Sequence, residues 1–212
     1  MKLKTLLVAC AMSVTLPAYA ALTINVNDIP NSQVIDFENF DGFLTTGPET
    51  VAPGVSFTGT PGSVLGAFIA DLGNNGLWGV GNHFAATDAI GTLHFTFVNG
   101  LTSAAGALLN SYDGNSMIII AFGDNHQIIE SHIIDVDAPE DRLNAGTFFG
   151  ITHPTADIRS ISFTGMGLVA DNVTFTIPIP EPEIYVMMLA GLGLLGPMAR
   201  RHRNSGVISA KR

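Results

Sequence analysis

The sequence predicts an all-β ectodomain, an antiparallel β-sandwich of jelly-roll type, followed by one C-terminal transmembrane helix. Three observations carry that expectation. Apolar residues recur with period two through the middle of the chain, turn dipeptides interrupt the runs, and one uncharged stretch near the end approaches the length of a bilayer span. The 23 glycines fit the same picture, because tight turns need positive φ angles.

The elements follow in order. Residues 33–37 and 54–59 open the series, and within the second Val55 and Phe57 alternate with Ser56 and Thr58. Residues 64–69 follow the Pro61-Gly62 turn. In 92–97, Leu93, Phe95 and Phe97 share one face, while Thr92, His94 and Thr96 share the other. Residues 101–110 fit a short helix or a strand equally well. Residues 116–122 form the next candidate, and Met117–Phe122 within it is almost wholly apolar, as expected of a central strand covered on both faces. Residues 127–136, 147–151, 157–163 and 172–177 complete nine candidate strands. Turn signals at Gly73-Asn74-Asn75-Gly76, Asn99-Gly100, Asp113-Gly114-Asn115 and Gly123-Asp124-Asn125 separate them. Ser-Phe-Thr-Gly occurs at 56–59 and 162–165, but the flanks differ, so these read as two similar strand ends.

Charge is distributed unevenly. The formal net charge is −9, yet residues 21–179 hold sixteen Asp and Glu against Arg142 and Arg159, a balance of −14. Such a domain repels nucleic acid and anionic lipid, which leaves neutral glycans and divalent cations as partners. The single cysteine, Cys10, lies in the N-terminal apolar run, so the domain has no disulfide, thiol nucleophile or thiolate metal ligand.

Both ends read as addresses. Lys2 and Lys4 precede an apolar run, and Ala18 and Ala20 stand at the positions that signal peptidase inspects, which makes 1–20 a signal peptide and 21–177 the ectodomain. Residues 178–183 form a proline-spaced linker. Residues 184–199 carry no charge, and as a helix span about 24 Å against a hydrocarbon core of about 30 Å. Arg200, Arg201 and Arg203 would hold the tail, 200–212, on the cytoplasmic side. The signal peptide independently sends the ectodomain outward.

Pro180-Glu181-Pro182, then an apolar segment with Leu189-Ala190-Gly191-Leu192-Gly193-Leu194-Leu195-Gly196, then Ala199-Arg200-Arg201, resembles the PEP-CTERM sorting signal of Gram-negative bacteria. The resemblance covers about the last thirty residues. It implies recognition by exosortase, a membrane peptidase that cleaves near Pro-Glu-Pro, a transient stay in the inner membrane, and release to the cell surface or an exopolysaccharide matrix. The stretches at 35–38 and 170–175 loosely resemble secreted lectin-like and galactose-binding-like sandwiches, in which the first and last strands often pair.

Motifs that carry chemistry are scarce. There is no Gly-x-Ser-x-Gly nucleophile elbow, no phosphate-binding glycine loop followed by Lys, and no His-Glu-x-x-His zinc pair. The reading is therefore non-enzymatic, with no cofactor beyond a candidate calcium loop. That loop is the acidic run with Asp135, Asp137, Glu140 and Asp141, since calcium takes several oxygen ligands, although a solvated acidic turn explains the run as well. Trp78, set among glycines, could stack on a sugar ring or plug one end of the sandwich. A carbohydrate-binding module is thus the first alternative. A hydrolase using paired carboxylates, drawn from Asp36, Glu38, Glu130 and Asp135, is the second. Each lone histidine reads as a solvated strand or turn residue.

Overall fold

The computed structural model describes residues 20–178. The signal segment with Ala18, the Pro180-Glu181-Pro182 motif, the span expected over 184–199, and Arg200, Arg201 and Arg203 lie outside the described residues. Among the described residues no helix is long and apolar enough to cross a membrane.

In chain order the strands are β1 (Ala21–Thr23), β2 (Ser32–Ile35), β3 (Phe43–Leu44), β4 (Glu49–Ala52) and β5 (Val55–Gly59). Then come β6 (Val64–Ala67), β7 (Ala70–Asp71), β8 (Leu77–Trp78), β9 (Phe84–Ala86), β10 (Ile90–Phe97) and β11 (Ala104–Asn110). The last group is β12 (Met117–Phe122), β13 (Ile128–Ile134), β14 (Thr147–Thr152), β15 (Ser160–Met166) and β16 (Val169–Thr176). One sheet runs β1-β14-β11-β16-β9-β6-β3, with β2 also paired to β16. The other runs β13-β12-β15-β10-β5-β4, and β7 with β8 forms a separate ribbon. From β9 to β16 the chain keeps crossing between the two sheets, as in a jelly roll.

Period-two patterning builds the core. Phe57, Phe95 and Phe163 project inward from β5, β10 and β15, with neighbouring ring centroids 5.4 and 6.2 Å apart. Phe97 meets Phe175 of the opposite sheet at 5.0 Å. All five rings are buried, each worth roughly 1.5–3 kcal/mol of transfer free energy. The two Ser-Phe-Thr-Gly stretches flank β10 on either side, where Thr58 and Ser162 both oppose His94. Residues 35 and 173 pair as β2 joins β16.

Residues 101–110, where the sequence leaves helix and strand equally open, contain strand β11. Two expectations are corrected in detail. Phe37 leaves the expected 33–37 strand, with φ at +59°. Strand β12 is covered on one face only: Met117, Ile119 and Ala121 are buried, while Ile118 is exposed. Strands buried on both faces lie in the larger sheet: β9 throughout, nearly all of β11, and β16, where Thr174 and Asp171 are as covered as Val173 and Phe175.

Candidate functional site

A second, smaller core sits outside the larger sheet. Ala85 and Ala170 face the main core, so their neighbours Phe84, Ala86 and Val169 face the other way. The excursion from residue 68 to 82, with the β7–β8 ribbon, folds over that face and adds Leu72 and Trp78. Trp78 packs edge-on against Phe84 at 6.4 Å between centroids and is 0% exposed. Of the two readings open for Trp78, the ring takes the packed one and presents no open face for stacking on a sugar. Gly146 lies so close that a Cβ there would stand 2.8 Å from the indole ring carbons.

Two buried asparagines hold this outer layer down. Asn75 Nδ2 donates to Asn110 Oδ1 at 2.7 Å and to the Val136 carbonyl at 2.8 Å, and Asn75 Oδ1 accepts from the Ala138 N–H at 3.3 Å. Asn110 Nδ2 donates in turn to the carbonyls of Asn75 and Ala145, at 3.1 and 2.7 Å. The ribbon, the end of β11 and the 136–145 loop are thus tied at one point. That loop carries the acidic run. Asp135, Asp137, Glu140 and Asp141 are all exposed, and among the described residues no group of three His, Cys, Asp or Glu is placed to hold a metal ion. The exposure of all four fits the solvated acidic turn, and the loop's order comes from Asn75 and from backbone hydrogen bonds such as Leu77 N–H to the Arg142 carbonyl.

A further carboxylate is buried at the margin of the outer layer. Asp171 is 1% exposed and accepts from Asn82 Nδ2 at 2.7 Å and from the Asn172 N–H at 2.6 Å. Burial pushes its carboxyl above 3.8, the two hydrogen bonds oppose the rise, and the charges of Glu38 and Asp36 add to it. Glu38 Oε1 accepts from the His83 N–H at 2.9 Å. These groups staple the 79–83 loop to the sheet. Of the other carboxylates expected as a hydrolytic pair, Glu130 contacts His132 at 2.8 Å and Asp135 is exposed. His83, His132 and His153 each stand beside a carboxylate; only the Glu130–His132 neighbourhood follows from period two in the strand.

The outer layer leaves a groove of about 450 Å³ between itself and the end of the sheet. Leu72, Ala86 and Val169 are buried beneath it, and Tyr112 and Met166 form an exposed wall. Tyr112 sits directly over Gly167, which has φ +53° and where a Cβ would come within 2.8 Å of the tyrosine Cβ. Asp71 and Asp88 complete the lining. Asp71 uses one oxygen to accept the Gly73 N–H at 3.0 Å, and its second oxygen is a further acceptor. An apolar floor, an aromatic wall and two carboxylates in the lining suit a ligand with both hydrocarbon and hydroxyl faces. Sequence reasoning missed Tyr112, Asp71 and Asp88. The Asp113-Gly114-Asn115 turn beside Tyr112 is visible in the sequence, but its position over the 62–72 segment is not.

The C-terminal end of the chain carries the decisive sequence feature. Residues 178–204 match the PEP-CTERM protein-sorting motif. The motif implies an exported protein that is transiently anchored in the membrane and processed by exosortase. No curated protein matches the chain in sequence. Among solved structures, a DUF4465 family protein from Bacteroides caccae is 11% identical, with a TM-score of 0.44 over 71% of this chain and 100% of that one. The K2 cleaved adhesin domain of Lys-gingipain is 10% identical, with a TM-score of 0.42 over 69% of this chain and 98% of that one. The family 32 carbohydrate-binding module of C. perfringens NanJ, solved with galactose, is 12% identical, with a TM-score of 0.31 over 68% of this chain and 98% of that one.

Proposed function

We propose that this chain is delivered to the cell surface or the exopolysaccharide matrix after cleavage near Pro180-Glu181-Pro182, and that its sandwich then binds a neutral glycan without breaking it. The sorting motif at 178–204 supports the delivery. The single observation that carries the ligand reading is the groove beside Tyr112. A pyranose ring has an apolar C–H face that packs on an aromatic side chain, and hydroxyls that donate to carboxylates such as Asp71 and Asp88. The balance of −14 over the ectodomain favours neutral polymers over uronic-acid or sulfated ones.

Depletion of the protein by insoluble neutral polysaccharides tests this reading. Tyr112→Ala is expected to weaken retention about tenfold, the equivalent of ~1.4 kcal/mol for one aromatic contact. Absence of retention for the wild type, or equal retention for the variant, overturns the groove. Reducing ends should not accumulate during the incubation. Delivery is tested separately: replacing Pro180, Glu181 and Pro182 with alanine should leave the protein in the inner-membrane fraction, and normal release of that variant would contradict the route.

A further inference from the structure

Strand β13 ends the six-stranded sheet, so one of its edges pairs with β12 and the other has no strand beside it among the described residues. Its outer face is apolar and open. Ile133 is 75% exposed, Ile128 57%, and Ile118 next to Ile133 on β12 is 39% exposed. On the opposite face Glu130 and His132 stand across from Ala121 and Ile119, and the two side chains touch at 2.8 Å. An exposed, isoleucine-rich edge is a template for another strand unless something blocks it.

The local sequence is Gln127-Ile128-Ile129-Glu130-Ser131-His132-Ile133-Ile134-Asp135. Read outward from Ser131 in either direction it gives a hydrogen-bonding or charged group, two isoleucines, and a polar group. We propose that β13 is a self-complementary edge, which pairs antiparallel with β13 of a second copy about a two-fold axis through Ser131. This inference does not rest on the glycan reading.

The chemistry selects that register. A charge on the core-facing side of an edge strand opposes pairing unless the incoming strand presents a matching group. Here the dyad sets each Glu130 opposite the His132 of the second copy, so both carboxylates meet an imidazole. Sliding by two residues sets Glu130 against Glu130, or His132 against His132, and like groups directly opposite are unfavourable. Sliding by one turns the isoleucine face against the polar face. The bulge in β13 turns Ile129 toward the main core and leaves Ile128 beside Phe122, so Ile128 and Ile133 of the two copies flank Ser131 on the outer face. The pairing joins two six-stranded sheets into one. Long-range repulsion between the two acidic domains is screened beyond about 8 Å at physiological salt.

The test uses the full chain in mild detergent in a Cys10→Ser background. Ser131→Cys is expected to form a disulfide-linked dimer under mild oxidation, since residues facing each other across an antiparallel pair have Cβ atoms about 4.5–5.5 Å apart. Thr50→Cys, on the far edge strand β4, should stay monomeric. Light scattering then separates the register from simple stickiness. Glu130→His and His132→Glu should each weaken association about tenfold or more, while the double swap restores it, with circular dichroism confirming that every variant is folded. Failure of Ser131→Cys to cross-link, equal cross-linking of Thr50→Cys, or indifference to both single exchanges overturns the proposal.

Discussion

The outer faces of the two sheets meet different fates. The larger sheet carries a third layer, with Trp78, Phe84 and Leu72 packed on it and two asparagines pinning the cover. The six-stranded sheet carries none among the described residues: its outer face is a carpet of Ser and Thr on β5, β10 and β15, grading into isoleucines on β12 and β13. His94 lies in that carpet against Phe122, at 5.6 Å between centroids, and burial followed by the nearby His126 holds its pKa below 6.5. The difference teaches that a covered face creates a site and a bare face creates an interface. The groove lies where the outer layer meets Tyr112 at the end of the sheet, and the self-pairing edge is available because β13 is the last strand of its sheet.

The largest effect that sharpens this comparison is expected at Trp78. Trp78→Ala should cost about 3–5 kcal/mol in urea denaturation, the usual range for emptying a large aromatic site. Thr58→Ala on the bare face should change stability by no more than about 0.5 kcal/mol. Equal effects would mean that the outer layer is not a true second core. Next comes Asn110→Ala, which strands Asn75 and two carbonyls and should cost about 2–3 kcal/mol. A cost below about 0.5 kcal/mol would show that the asparagines do not hold the layer.

The smallest effect concerns pH. Because the folded-state carboxyl of Asp171 is raised above 3.8, the native state binds this proton more tightly than the unfolded chain does. Stability from this group is therefore greatest at acid pH and falls as pH rises from about 4 through the raised value. Asp171→Asn should flatten that part of the curve of melting temperature against pH. A variant curve parallel to the wild type would remove Asp171 as the cause.

Much of the sandwich was legible in the sequence, because alternation in 54–59 and 92–97 reports one buried and one wet face directly. The errors fall where tertiary packing decides whether a sheet's outer face is covered. Met117–Phe122 looks doubly buried from its run of isoleucines, yet Ile118 faces solvent. Residues 172–177 look amphipathic, yet Thr174 is covered, as is Asp171 before them, because polar residues that find hydrogen bonds can be buried as fully as apolar ones. Strands of two or three residues such as β3, β7, β8 and β9 show no period at all. Trp78 and the acidic 135–141 run drew attention by composition, but long-range packing decides whether an indole is exposed or carboxylates converge. Tyr112 needed the opposite help: its partner Gly167 is 55 positions away in the chain.

Chemical-shift mapping of residues 21–177 during titration with a soluble neutral oligosaccharide compares the two outer faces in one experiment. The account predicts that perturbed amides cluster at Gly62, Asp71, Tyr112 and Gly167, with those around His94 and Ile118 unmoved. Perturbations centred on His94 and Ile118, or none on either face at saturating sugar, would contradict it.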